Sequence, residues 1–223
     1  MLNRIKGLIQ YTSDLHLEKG FRRIIIPRKP YLVLAGDIGY PNQETYKNFL
    51  LNLSWNFDKV FVIAGNHEYD QNKNILEVNN KIENICNMRN NLIFLQQKTH
   101  IICEKNNIKI AGCTLWSTFP KIKNQYHLKD TYWLHNTINQ NEDTYYVIAT
   151  HHCPLYECIN NKHKYKTMNY FASDQSHILK NSNLLMWIHG HTHYNRNLNI
   201  YDTLIVSNQY GSYQNPLYGY KYY

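Results

Sequence analysis

Five apolar runs in this chain each end in a cluster of metal-type side chains, and that repeat restricts the fold more than any other feature. The first stretch, LIQYTSDLHLE over 8–18, ends in Asp14 and His16. Residues i and i+2 of an extended chain point the same way, so both side chains can reach one ion at a strand's end. LVLAGD then ends in Asp37, and VFVIAGNHE in Asn66, His67 and Glu68. YYVIATHH ends in His151 and His152, and LLMWIHGHTH in His189, His191 and His193. Five strands that deliver polar groups at their carboxyl ends point to one shared site on one sheet edge, the usual place for active sites in α/β proteins.

The intervening segments read as crossovers. Tyr31–Ala35 is continuously apolar, hence a strand buried on both faces, and 59–64 repeats it. Residues 44–56 carry Tyr46, Phe49, Leu50 and Leu53 at helical spacing, and 74–88 carry Ile75, Val78, Ile82 and Ile85. This β-α-β-α order implies a parallel sheet. Short strands follow at 91–96, 100–104 and 109–113, with Asn106 and Asn107 as a hairpin turn. Residues 114–143 show weak periodicity and read as a long loop, a lid or binding wall, with a short helix only near 130–139. Buried strands return at 145–149 and 184–188, with Ser173 and Asp174 capping a short helix between them. A hairpin over 196–207 turns at Tyr201 and Asp202, and the Tyr-rich tail from Tyr210 reads as irregular surface structure.

A chain of 223 residues with 43% hydrophobic and 18% charged residues suits one globular domain over 1–223. No apolar run approaches the roughly 20 residues needed to span a bilayer, so no membrane partner is expected. The short apolar run at the N-terminus does not resemble a signal peptide, and a cytoplasmic location follows. The formal charge of +8 favours polyanionic partners and steers phosphorylated substrates inward. The basic runs at Arg22-Arg23, Arg28-Lys29 and 162–166 read first as solvated loops, with a nucleic-acid track as the alternative. Cys86, Cys103, Cys113, Cys153 and Cys158 lack C-x-x-C spacing and read as buried free thiols, Cys153 filling space beside the His pair.

In order, the motifs are D-x-H (Asp14, His16), GD (Asp37), GNHE (Asn66, His67, Glu68), HH (His151, His152) and GHTH (His191, His193). The set resembles the calcineurin-like metallophosphoesterase superfamily over nearly the whole chain. SDLHLE, LAGDIG, GNHEY, GCTLWSTF, THHCP and WIHGHTH are similar to a small single-domain subgroup of predicted phosphohydrolases from bacteria and phages. The resemblance implies a four-layer α/β fold, two mixed β-sheets packed face to face and flanked by helices. It also implies a phosphoesterase in which a metal-bridging hydroxide attacks a phosphate ester, diester slightly before monoester. Asp37 would bridge two divalent ions. Asp14, His16 and His193 would complete one metal site, and Asn66, His151 and His191 the other. The mixed nitrogen and oxygen set suits manganese, iron or zinc, manganese being the first expectation. His67 would act as general acid, with Asn66, His67 and His152 toward substrate, and Glu68 would orient a ligand. His189 reads as part of the strand.

Trp116, Phe119, Trp133, Tyr156, Tyr170 and Phe171 lie where they could stack a nucleobase of a nucleotide substrate, or simply pack. The tail departs from the subgroup: Ser207-Asn208-Gln209-Tyr210-Gly211 stands where an Asn-Pro-Arg-Gly-Tyr-like stretch is usual. Two rival functions remain. An inactive scaffold would lack ligands, and here each position is filled; a DNA or RNA nuclease of this kind usually carries further domains.

Overall fold

A computed structural model describes residues 1–20, 23–72, 74–118, 124–160 and 167–222. Ten strands among them form two sheets. The first comprises β1 (Ile9–Thr12), β2 (Tyr31–Ala35), β3 (Lys59–Ile63) and β4 (Leu92–Phe94) in that order. The second contains β5 (Lys98–Cys103), β6 (Ile108–Cys113), β7 (Tyr145–Thr150), β8 (Leu184–His189), β9 (Leu198–Ile200) and β10 (Thr203–Ser207), ordered β5-β6-β7-β8-β10-β9. Strands β6, β7, β8 and β10 run parallel, and antiparallel β5 and β9 close the edges.

The continuous apolar runs follow from burial on both faces. In β2, Val33 and Ala35 face the second sheet and pack with Ile110, Val147, Ala149, Met186, Ile188 and Val206. Leu32 and Leu34 point the other way, toward Tyr46, Leu50 and Leu53 of α2 (Glu44–Ser54) and Val78, Ile82 and Ile85 of α3 (Ile75–Cys86). On the far side, Ile148 and Trp187 meet Leu134 and Ile138 of a third helix, Asn124–Asn139, together with Ile178 and Leu179 of the short helix Ser176–Leu179. The layers are therefore helix, sheet, sheet, helix, as expected.

The structure corrects the sequence reading in three places. The first sheet is parallel throughout, as its β-α-β-α order implies, rather than mixed as the family resemblance implied, because its strands are joined by long connections and none by a hairpin. Residues 114–143 are mostly the helix Asn124–Asn139, not a loop. Its buried face includes His127, Asp130 and Thr137, polar side chains that hid the helical period. Asp130 accepts the backbone N–H of Leu115 at 2.8 Å and the Gln97 amide at 2.8 Å, and the His127 ring faces Leu115 O at 2.9 Å. A further helix, Leu2–Leu8, precedes β1 and buries Ile5 between the sheets. Asn107 turns the β5–β6 hairpin with φ 47°, and Tyr201 and Asp202 turn the last one at φ 51° and 65°.

Candidate metal centre

The carboxyl ends of β1, β2, β3, β7 and β8 meet at one edge, three from the first sheet and two from the second. Backbone bonds lock the exits together: Asp14 N–H donates to Gly36 O, His16 N–H to Asp37 O, and Gly190 N–H to His151 O. Each strand must turn sharply where its ligands begin. Asp14, His16, Asp37, His191 and His193 all have φ between 46° and 67°, a region that disfavours any side chain. Holding five such residues on one rim is strain that the surrounding packing must offset. Glycine is needed where these exits touch. Gly36 sits at φ 85° with a Cβ position occupied by the His151 ring, and a Cβ on Gly65 would strike the Asp37 carboxylate.

Two side-chain groups flank Asp37. On one side Asp14, His16 and His193 lie together, with His193 Nε2 3.2 Å from Asp14 Oδ1 and His16 Nε2 4.0 Å from Asp37 Oδ2. On the other, His151 Nε2 lies 3.3 Å from Asp37 Oδ1, 3.1 Å from Asn66 Oδ1 and 3.2 Å from His191 Nδ1. The two oxygens of Asp37 thus face opposite groups.

The orientation of the rings suits these groups to cations. A carbonyl can only accept, so His151 Nδ1 donates to Ala35 O at 2.9 Å, and His191 Nε2 donates to Tyr170 O at 3.0 Å. Their remaining nitrogens point into one space shared with oxygens of Asp37 and Asn66. Burial would lower His151, but Asp37 outweighs it and lifts the ring to about 9, so Nε2 carries a proton there that a cation would displace. His16 repeats the orientation: Nδ1 donates to Glu18 Oε1 at 2.9 Å, and Nε2 is buried with no hydrogen-bond partner. Ring nitrogens aimed into one space, with the second nitrogen fixed by an acceptor, suit divalent ions. The mixed nitrogen and oxygen donors fit first-row metals.

Charge in the site is strongly perturbed. Burial would raise Asp14, but the hydrogen bond and charge of His193 outweigh it and hold the carboxyl at about 2. Burial would likewise raise Asp37, yet facing His151 and neighbouring His67 and His16 keep it well below the usual range. Glu18, raised by burial but lowered more by hydrogen bonds to His16 and His67, sits at about 2. The Glu18 contact, helped by Asp37 and Asp70, lifts His67 to about 9 against desolvation. His67 Nδ1 lies 3.5 Å from Glu18 and 3.2 Å from Asp70, and its side chain remains 30% exposed, so it faces both the site and solvent.

Glu68 is fully buried and accepts backbone N–H groups of Asp37, Ile38 and Gly65 at 3.0, 2.8 and 2.7 Å. It ties the β2 exit to the β3 exit. His152 is buried with both ring nitrogens unpartnered, its ring centre 4.0 Å from that of His191. All the sequence-predicted site residues converge on this edge. Sequence reasoning missed Glu18, although H-x-E spacing after Asp14 was the available signal. It also missed Gln209, whose Oε1 accepts His193 N–H at 2.7 Å while its amide donates to Thr192, so the atypical tail braces the last ligand loop. No local pattern pointed to that contact.

Of the aromatic candidates, Phe171 stacks 5.4 Å from His191, and Tyr170 contributes its carbonyl. Trp116 is buried between Tyr69, Tyr126 and His152, and Trp133 packs in the outer core. Tyr156 bonds Asn169 through its hydroxyl. Phe119 lies outside the described residues, as do Arg22 and the basic run at 162–166.

The sequence model of calcineurin-like phosphoesterases matches residues 9–195, a span that holds both ligand groups. The chain belongs to this family. It is accordingly a metal-dependent hydrolase of phosphate esters. Uncharacterized protein L509 of Acanthamoeba polyphaga mimivirus is 30% identical, with 92% of this chain and 91% of that one covered. Among solved structures, phosphopantetheinyl hydrolase from Mycobacterium tuberculosis is similar with a TM-score of 0.72 at 15% identity, covering 93% of this chain and 90% of that one. A dimetal phosphatase from Danio rerio gives 0.52 at 11% identity, covering 89% and 86%. At such identities the two structures speak to the fold alone. Among the described residues no helix is long and apolar enough to cross a membrane.

Proposed function

We propose that this family member hydrolyses its ester at a centre for two divalent ions, with Asp37 shared between them. The carrying observation is the convergence of His151 Nε2 and His191 Nδ1, 3.2 Å apart, on the oxygens of Asp37 and Asn66. Backbone carbonyls hold the far nitrogens of both rings, so a cation that displaces the His151 proton would meet two nitrogens and two oxygens already aimed at it. Asp14, His16 and His193 would hold one ion, Asn66, His151 and His191 the other. When bound, the ions supply positive charge to the phosphoryl oxygens and acidify a water so that attack proceeds at neutral pH. Manganese is the ion we test first.

The chain's own residues do the rest. Glu18 and Asp70 face His67 Nδ1 and keep the ring charged, so its Nε2 proton, on the side of Asp37, would pass to the leaving oxygen. Neutral Asn66 coordinates without adding negative charge near an anionic substrate. His152, whose ring nitrogens have no hydrogen-bond partner among the described residues, would turn toward the ester. The +8 charge and Phe171 beside His191 support a diester of nucleotide size somewhat before a monoester. Five free thiols fit a single domain working in the cytoplasm. For the nuclease alternative, Arg23 gives no support, since its guanidinium is buried against Leu15 O, Tyr213 O and Gln214 O.

The test is turnover of a chromogenic phosphodiester and its matching monoester by metal-stripped protein reloaded with manganese. Asp37→Ala should abolish turnover, and His67→Ala should lower kcat by about 10²–10⁴-fold with metal still bound. Wild-type protein that binds manganese and cleaves neither ester would overturn the diester preference, and protein that binds none would overturn the centre itself.

A further inference from the structure

Behind the ligand rim lies a second cluster of metal-type side chains. Cys153 follows the His151-His152 pair, Cys158 ends the short turn Tyr156–Cys158, and His189 ends β8. Their exposures are 0%, 0% and 1%, and the two sulfurs and one ring nitrogen lie within 4.8 Å of one another. His189 Nδ1 donates to Gly190 O at 3.1 Å, which leaves the Nε2 lone pair facing Cys153 Sγ at 3.9 Å. A ring whose far nitrogen is pinned by a backbone carbonyl while the near one points at thiols is the arrangement of a metal-ligating histidine. Apolar side chains, among them Leu155, Ile159 and Trp187, surround the group.

We infer that Cys153, Cys158 and His189 bind one zinc-class ion, separate from the nitrogen and oxygen centre. Ideal tetrahedral zinc separates two sulfur ligands by about 3.8 Å, and a sulfur and a nitrogen by about 3.6 Å, so side-chain shifts of an ångström or less complete the site. Binding one Zn²⁺ releases two thiol protons, and ion plus two thiolates sum to zero charge. A neutral unit is the form this apolar pocket tolerates, whereas a lone cation or lone thiolate is not. Thiolate donors select zinc over manganese, so the two kinds of site would load differently. Three protein donors leave the fourth position to a water. The ion would fasten the loop after β7, which carries His151 and His152, to the end of β8, which leads into His191.

Cobalt(II) titrated into reduced, metal-stripped full-length protein provides the test. No ligand of the proposed two-ion centre is sulfur, so near-ultraviolet sulfur-to-cobalt charge transfer reports this cluster alone. The expected result is that charge transfer appears in wild-type protein, saturates at one cobalt per chain in Asp37→Ala, and disappears in Cys158→Ser. Zinc added to Asp37→Ala protein should also raise its Tm, and should not do so in the double variant with Cys158→Ser. Cobalt bound by wild-type protein without charge transfer would overturn the inference. So would three free thiols instead of five in unreduced, denatured protein, which would identify a Cys153–Cys158 disulfide. Because Asp37→Ala removes only the two-ion centre, failure of either site leaves the signal of the other readable.

Discussion

His67 and Glu18 show how much of this site depends on single charges placed out of water. Glu18 lies behind two imidazoles, accepting a hydrogen bond from His16 Nδ1 at 2.9 Å and standing 3.5 Å from His67. The first contact fixes which His16 nitrogen is free, and the second favours a charged His67. In metal-free protein this has a pH signature. The pKa of His67 is raised to about 9 from an ordinary 6.5, so the protonated ring stabilises the fold fully below pH 6.5, and that contribution is lost as pH rises through 9. His67→Ala should therefore lower the Tm of metal-free protein at pH 6 and leave it close to that of wild type at pH 10. An equal loss at both pH values would refute the charge on His67. The pair His16 and Glu18 was visible in sequence as H-x-E, but only burial and the approach of His67 from the turn after β3 make Glu18 a carboxylate shared by two imidazoles.

At the scale of elements, the strands were legible and one helix was not. Tyr31–Ala35 and the ends of β7 and β8 appear in sequence because both faces of each strand are apolar. The helix Asn124–Asn139 escaped because what it buries is polar. Asp130 reaches back to the segment leaving β6, where it serves the N–H of Leu115 and the amides of Gln96 and Gln97 at 3.3 and 2.8 Å. Removing the carboxylate strands those donors in a buried place. Asp130→Ala should cost about 1–3 kcal/mol in a denaturant titration, with an unchanged m-value. A change below about 0.5 kcal/mol would mean that water replaces it without penalty. Asn124–Asn139 would then be held by Leu134 and Ile138 alone.

Across the whole molecule, the candidate metal centre lies on the seam between the sheets. Asp14, Asp37 and Asn66 come from the first sheet, and His151, His191 and His193 from the second. Ions there would couple the two halves. Metal-stripped protein should melt lower than manganese-loaded protein, and one ion at a hundredfold excess over its Kd would add about 2.7 kcal/mol. Asp37→Ala, which removes the carboxylate facing both groups, should erase the manganese-dependent rise in Tm. A persistent rise would place the ion elsewhere.

The sequence by itself determined which strands exist, that the central ones are buried on both faces, and which side chains stand at their carboxyl ends. Those properties are local: a two-residue period, an apolar run and a turn after it are written in neighbouring residues. Tertiary structure alone decided that Asp37 presents one oxygen to each group, that His151 Nε2 and His191 Nδ1 converge on one space, and that Gln209 from the tail holds His193. It also brought Cys153 and Cys158 beside His189. Each of these is a contact between segments far apart in the chain, set by how two twisted sheets pack, and no pattern in neighbouring residues records that packing.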